Sequence, residues 1–287
     1  MNSSIKVSWS ENNRILDVQY SEFSGGERHV QIGLLPEQPI QTVNIQANIR
    51  SSNDLMDYLL LENALFQHNP DIAINLEIPY LPYARQDRVC AVGQAFSMQL
   101  MAEMLRLRPK KSVTVWDCHS SVGSQLLDAI NIESWQIIGN SPELVDVLQD
   151  TNTVLICPDK GAKPRSEAIA RAFDLKQIVF CEKKRDPVSG KILETTVLTD
   201  DLSGKTAVIT DDICDGGMTF IGIAQALRKI GCAHIVLYVT HGIFSKGLSV
   251  FEGLIDRIYT TDSFSHNMSQ SSIKLTVINF KNINFKK

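Results

Sequence analysis

The residues best able to do chemistry stand in one run, Asp211-Asp212-Ile213-Cys214-Asp215-Gly216-Gly217-Met218-Thr219. The apolar stretch Ala207–Thr210 leads into two adjacent carboxylates, a third follows at Asp215, and two glycines precede a helical pattern. Ligands of open α/β sheets bind beyond the carboxyl ends of strands. Glycines let backbone N–H groups converge there, and a helix N-terminus adds positive potential, so the turn suits a phosphate. Asp211 and Asp212 beside it could hold ribose hydroxyls, directly or through a cation. The plain alternative is an acidic strand-to-helix turn in which Asp215 only caps the helix. Three carboxylates around a phosphate nest are costly without ligands, which weighs against that alternative.

Other reactive side chains are scattered singly. Arg85 and Arg88 on their own would read as a solvated loop, but they sit in the Pro/Tyr frame Pro79-Tyr80-Leu81-Pro82-Tyr83-Ala84-Arg85-Gln86-Asp87-Arg88. Bidentate arginine suits phosphate geometry, and lysine supplies a mobile point charge. Lys183 and Arg185 belong to the charge cluster Glu182–Asp186, followed by Pro187, Ser189 and Gly190. That pattern reads as an exposed, mobile loop able to close over a ligand and exclude water. His119, in Asp117-Cys118-His119-Ser120, follows a predicted strand, as does His241; His29, His68, His234 and His266 carry no pattern. No G-x-x-x-x-G-K-[ST] string occurs, which excludes a phosphate-loop NTPase.

The elements that must position these groups alternate. Thr42–Ala47, Ile72–Ile78, Ser112–Trp116, Thr153–Cys157, Gln177–Cys181, Ala207–Thr210 and His234–Val239 are short runs, most apolar nearly throughout, as for strands of a parallel sheet covered on both faces. Helical spacing lies between them. One helix is expected to be capped by Asn53 and to bury Leu55, Met56, Leu59, Leu60 and Ala64. A second carries Phe96, Leu100, Met101 and Met104. A third carries Phe220, Ile223, Ala224, Leu227 and Ile230 and is closed by Gly231. This is βαβ grammar, hence an α/β fold. The 287 residues suggest about two domains, divided as 1–140 and 141–287, with Ile138–Gln149 read as a connector punctuated by Asn140 and Pro142.

Composition removes other classes. Hydrophobic residues make up 44% and charged residues 21%, an ordinary globular balance, and a net charge of −4 gives no general pull toward nucleic acid or an anionic bilayer. No apolar run approaches a membrane span, and the polar start through Asn13 shows no secretory signal. The six cysteines form no C-x-x-C pair, so zinc and dithiol chemistry are not expected and a reducing cytoplasm is.

The Asp211–Thr219 segment resembles the ribose-phosphate-binding loop of the type I phosphoribosyltransferases. The Pro-Tyr-x-Pro-Tyr-Ala-Arg-Gln-Asp-Arg string resembles the signature of the ribose-phosphate pyrophosphokinases, also called phosphoribosyl pyrophosphate synthetases. Phe23-Ser24-Gly25-Gly26-Glu27, Asp117–Ser120, Cys157-Pro158-Asp159-Lys160-Gly161, Glu182–Arg185 and Thr240-His241-Gly242-Ile243-Phe244 follow in family order, so the likeness covers roughly residues 20 to 265. The resemblance implies two tandem type I phosphoribosyltransferase-like domains with central, mostly parallel sheets, ATP and ribose phosphate meeting between them. It implies Mg²⁺-dependent transfer of the β,γ-diphosphoryl group of ATP to the anomeric hydroxyl of ribose 5-phosphate, with release of AMP. By position, Glu27, Arg85, Gln86 and His119 would bind ATP, and His119 and Asp159 would ligate or orient the metal. Lys183 and Arg185 would act on the transferring phosphates. Asp211, Asp212, Asp215, Gly216, Gly217, Met218 and Thr219 would bind the acceptor. A homo-oligomer built from dimers is implied too, with no nucleic-acid or membrane partner.

Three departures from the family bear on function. Gly25 stands where Asp or Asn usually precedes Gly-Glu, and Gly216 stands where a hydroxyl usually bonds the 5-phosphate. Ser121-Val122-Gly123-Ser124 replaces the usual string after the metal histidine, in a chain shorter than the usual bacterial enzyme. The loss at Gly216 makes room for an esterified phosphate, so ADP-ribose, giving its 1-pyrophosphate for NAD synthesis, is the rival acceptor, although Met218 adds bulk. A catalytically silent partner of true synthetase subunits is a further alternative, against which His119 and Lys183 both remain.

Overall fold

Near-continuous apolar runs need cover on both faces, and they form two mostly parallel sheets in the two compact units into which the chain divides after Ile132. The computed structural model describes residues 5–36, 38–185, 192–264 and 271–280, the backbone alone at 183–185 and 192–194.

The first unit comprises β1 (Ile5–Trp9), β2 (Val18–Glu22), β3 (Arg28–Ile32), β4 (Thr42–Ala47), α1 (Ser52–His68), β5 (Ala73–Ile78), α2 (Ser97–Leu105), β6 (Ser112–Trp116), α3 (Ser121–Leu127) and β7 (Ile130–Ile132). Its sheet runs β1-β4-β5-β6-β7, with β4 to β7 parallel and β1 antiparallel on the β4 edge. A polar ladder crosses its start: Ser112 Oγ donates to Asn75 Oδ1 at 2.9 Å, and Asn75 Nδ2 to Asn44 Oδ1 at 2.9 Å. β2 and β3 form a separate antiparallel pair, tied to α1 by Arg28, whose Nε and Nη2 reach the two oxygens of Asp57 at 2.8 and 2.6 Å.

Helix α1 departs from the expectation at both its cap and its face. Ser51, not Asn53, is the N-cap, its Oγ accepting from Asp54 N–H at 3.1 Å. The buried face is Leu55, Asp57, Tyr58, Leu61, Glu62 and Leu65, while Met56 is exposed. The cause is a polar cluster that apolar periodicity does not count. Lys110 Nζ lies 2.5 Å from Glu62 Oε1, Tyr58 Oη donates to the same oxygen at 3.1 Å, and Lys110 also donates to the carbonyls of Leu105 and Arg108. α2 likewise buries Met98, Met101, Ala102 and Leu105 and leaves Leu100 exposed.

The second unit, Glu133–Phe280, comprises α4 (Ser134–Ile138), α5 (Pro142–Gln149), β8 (Thr153–Cys157), α6 (Lys163–Ala172), β9 (Ile178–Arg185), β10 (Ile192–Val197), β11 (Thr206–Cys214), α7 (Met218–Lys229), β12 (His234–Gly242), β13 (Arg257–Thr261) and β14 (Lys274–Ile278). Its sheet runs β10-β9-β8-β11-β12-β13-β14, all parallel except β10. From β8 the chain steps outward to β9; it then returns so that β11 lies on the other side of β8. The boundary between β8 and β11 is therefore a topological switch point, where loops diverge and leave a crevice.

Three expectations are corrected here. Ile138–Gln149 is no connector: it spans the end of α4 and all of α5, with Pro142 opening α5 and Leu144 and Leu148 buried. Glu143 pairs with Arg257 of β13 and so fastens α5 to the sheet. Glu182–Arg185 is no loop but the end of β9, its backbone paired with β10 from Thr196 back to Ile192; an edge hairpin tolerates consecutive charges that a central strand would not. Asp186, Pro187, Ser189 and Gly190 lie outside the described residues. Finally, β11 does not stop at Thr210 but carries both carboxylates within it, because β12 is long enough to pair through Ile213↔His241 and Cys214↔Gly242. Helix α7 buries Phe220, Ile223, Ala224 and Leu227 as expected, but Ile230 is its half-buried C-cap, followed by Gly231 at φ 81°.

All six cysteines are free thiols; Cys157, Cys181, Cys214 and Cys232 are buried, Cys118 is half-buried and Cys90 is exposed. Among the described residues no helix is long and apolar enough to cross a membrane.

Removing one partner of a buried ion pair strands the other charge. Lys110→Met is expected to lower unfolding stability by about 3 kcal/mol, read from the urea midpoint at constant slope.

Candidate functional site

In each unit the parallel strands deliver their loops to one edge, and the chemistry-bearing residues collect there. In the first unit, residues 49–52 leave β4, Pro79–Arg88 leaves β5, and Asp117–Ser120 leaves β6. The first two loops line an open cleft of about 630 Å³ with Ile49, Arg50, Ser51, Ser52, Tyr83, Arg85 and Gln86 on its wall. Tyr83 adopts φ 60°, a left-handed conformation that turns the chain sharply; Gln86 N–H then donates to Tyr83 O at 2.8 Å. Gln86 is fixed further by Ser97 Oγ, which donates to its Oε1 at 2.7 Å, so the side chain offers its amide as donor. Helix α3 packs against this loop because Gly123 has no side chain: an added carbon would lie 2.6 Å from Leu81 Cδ2.

Of the four residues expected to bind nucleotide, Arg85 and Gln86 line the cleft, whereas Glu27 and His119 are not among its lining residues. Glu27 is exposed at the tip of the β2–β3 hairpin, and its carboxylate folds toward Gly25, where an added side-chain carbon would sit 2.9 Å from Oε2. His119 is exposed just past β6, after buried Asp117 at φ 39°. Arg50, Ser51 and Ser52 are the additions that sequence reasoning missed. Their signal was the Ser51-x-x-Asp54 cap, which marks where α1 begins at the carboxyl end of β4.

In the second unit the switch point gathers the β8–α6 loop and the β11–α7 loop. Asp159 Oδ1 accepts from Gly161 N–H at 3.0 Å and Ala162 N–H at 3.1 Å, which fixes the turn into α6. Asp212 is buried and Asp211 largely so; Arg165, on α6, brings Nη1 to 3.5 Å from Asp211 Oδ1 and 3.6 Å from Asp212 Oδ1. Burial and the neighbouring Asp212 charge push the Asp211 carboxyl well above the usual carboxylate range, and Arg165 opposes that. Burial, with Asp211 and Asp215 nearby, likewise holds the Cys214 thiol far up and protonated.

Gly217 opens α7 at φ 79°, and an added side-chain carbon would lie 2.5 Å from Cζ of Phe251. Only glycine satisfies both limits. Asp215 and Gly216 are half-buried, Thr219 is half-buried in the first turn, and Met218 is exposed. The β12–β13 loop adjoins this turn: Ser245 N–H donates to Asp215 O at 3.2 Å, and the space beside Gly216 is bounded by Lys246 Cγ at 3.7 Å and Ser245 Oγ at 4.0 Å. Lys246, Ser245 and Arg165 were not anticipated, because their signal is spatial. The side chains of Lys183 and Arg185 lie outside the described residues; their backbone lies in β9.

Two family models match the chain. The N-terminal domain of ribose phosphate pyrophosphokinase matches residues 4–107 and the phosphoribosyl transferase domain residues 122–261. The ribose-phosphate pyrophosphokinase of Pyrococcus furiosus is 30% identical over 92% of each chain, and that of Mycoplasmopsis pulmonis is 30% identical over 79% of this chain and 71% of its own. The fold matches the crystal structure of phosphoribosylpyrophosphate synthetase from Mycobacterium smegmatis with a TM-score of 0.77 at 22% identity, over 92% of this chain and 86% of that one.

Gly217→Ala introduces both a strained φ and a ring overlap, so it is expected to cost about 3 kcal/mol of stability in chemical denaturation, while Gly216→Ala changes it by less than about 1 kcal/mol.

Proposed function

The chain belongs to the ribose-phosphate pyrophosphokinase family, and from that premise we propose that it transfers the β,γ-diphosphoryl group of ATP to ribose 5-phosphate. The observation that carries this reading is the meeting, at one switch point, of a glycine-opened helix with two carboxylates on the adjoining strand. A phosphate seats on the N–H groups at Gly216–Thr219, and a ribose lays its hydroxyls against Asp211 and Asp212, whose carboxylates accept from them.

Arg85 and Gln86 bind the nucleotide, the arginine by charge-assisted bonds to phosphate and the glutamine through its amide, with Glu27 and His119 assigned to the same ligand by resemblance. The C1 hydroxyl attacks the β-phosphorus and releases its proton to water, the bond from that phosphorus to the α–β bridging oxygen breaks, and AMP leaves with the bridging oxygen. Lys183 and Arg185 stabilise the charge that spreads over the group in transit. Mg²⁺, when bound, neutralises charge on the phosphates. Asp159 would offer a hard oxygen donor of the kind Mg²⁺ takes, and His119 is assigned to the metal by resemblance; phosphates and waters ordinarily fill most positions around this ion. Association into dimers and larger homo-oligomers belongs to the same proposal.

Lys246 bears on the acceptor. A terminal 5-phosphate is a dianion, and the stem of exposed Lys246 passes beside Gly216, so its ammonium has the reach to meet a phosphate there, which favours a free over an esterified phosphate. The relatives named above are ribose-phosphate enzymes, and nothing in their likeness to this chain supports ADP-ribose.

AMP release from ATP and Mg²⁺ is expected with ribose 5-phosphate and at less than a hundredth of that rate with ADP-ribose; equal rates would reverse the acceptor assignment. Arg85→Ala is expected to raise KM for ATP by roughly 10- to 100-fold, the loss of about 1.5–3 kcal/mol from a charge-assisted bond, with KM for ribose 5-phosphate unchanged.

A further inference from the structure

The acceptor site as proposed asks two adjacent carboxylates on one strand to be charged and correctly aimed together. Side by side on β11 and largely out of water, they repel, and the Asp212 charge favours protonation of Asp211. A protonated Asp211 would offer its ribose partner one acceptor oxygen fewer and an O–H with no fixed direction. Something must offset that repulsion.

We propose that Arg165 is the positioning residue of the acceptor site, its guanidinium holding Asp211 and Asp212 as a charged, oriented pair for the ribose hydroxyls. The inference rests on the acceptor reading above and adds a residue to it. One guanidinium nitrogen, Nη1, is within 3.6 Å of an oxygen of each carboxylate, and the arginine side chain is only 11% exposed. The planar fork can address two carboxylates at once without losing its charge, which a lysine ammonium does less well. The placement also follows from topology. Arg165 lies in the first turn of α6, the helix leaving β8, and the carboxylates lie on β11, so the contact spans the switch point that forms the crevice.

Among the described residues, the other titratable groups beside the pair do not lower the Asp211 carboxyl; the Asp212 N–H, donating to Asp211 Oδ1 at 3.0 Å, acts with Arg165. Asp215 follows in the loop; Cys157 of β8 and Cys214 of β11 both feel the Asp211 charge and are themselves held protonated by burial. Among the cations of the described residues, Arg165 is the one paired with both aspartates.

The sign of the pH effect follows. Burial and Asp212 raise the Asp211 carboxyl, and Arg165 lowers it, so loss of the guanidinium moves it further up. Binding that needs the ionised pair is then lost at a higher pH on acidification.

The test uses the full chain and three variants, with initial rates of AMP formation followed from pH 5 to 9. Arg165→Gln is expected to raise KM for ribose 5-phosphate at least tenfold, to leave KM for ATP within twofold, and to shift the acid limb of kcat/KM for ribose 5-phosphate upward by about one pH unit. Arg165→Lys is expected to return the limb to its original position while KM stays about threefold raised. A Gln variant that matches the wild type in both KM and acid limb overturns the proposal. Should circular dichroism show that variant unfolded, a Lys variant with wild-type KM overturns it equally. Asp211→Asn separates the two layers of the argument. If it fails to raise KM for ribose 5-phosphate, the acceptor reading falls and takes this inference with it. If it raises KM while the Arg165 variants do not, the inference alone falls.

Discussion

A parallel strand can release its chain at only one end, and that constraint organises both units. Because β4, β5 and β6 run side by side in one direction, the loops carrying Arg50, Arg85 and His119 must leave the same edge. In the second unit β8, β11 and β12 do the same for Asp159, Asp215 and Lys246. Residues far apart in sequence become neighbours without any long structureless loop to bring them together. The reversal of strand order beside β8 then separates two of these loops and leaves room for a ligand.

Much of this was legible from residue order. The buried strands are nearly unbroken runs of Val, Ile and Leu, and the seven strands expected at Thr42–Ala47 through His234–Val239 are all present, some longer than expected. The Gly216-Gly217 turn was legible as a strand-to-helix turn, because an apolar run precedes it and helical spacing follows it. What stayed hidden depended on partners. β11 continues through Asp211 and Asp212 because β12 is there to pair with it, and Glu182–Arg185 is strand because β10 turns back on it. Charge composition argues for solvent, but an edge hairpin satisfies its backbone whatever the side chains are.

The faces of α1 and α2 show another limit. Apolar periodicity selected Met56 and Leu60, yet the helix buries Tyr58 and Glu62, because Lys110 arrives from another segment to meet the carboxylate. Trp116 and Glu77 repeat the theme, the indole N–H donating to Glu77 Oε1 at 2.7 Å within the sheet. A polar residue can belong to a core when its partner is supplied by tertiary structure, and no local pattern announces the partner. Arg165 was missed for the same reason: in sequence it is an unremarked base in a helix start, and only the neighbouring strand gives it two carboxylates to meet.

The six thiols differ in a way that makes the molecule easy to label. Cys157, Cys214 and Cys232 are held protonated by burial, and Cys181 is equally shut in, so these sulfurs make poor nucleophiles. Cys90 stands in solvent two residues beyond Arg88. A maleimide dye supplied in limiting amount therefore goes to Cys90 first, ahead of half-buried Cys118, without any cysteine having to be engineered in or out. A fluorophore there would sit on the loop that carries Arg85, an optical handle on the first unit's cleft.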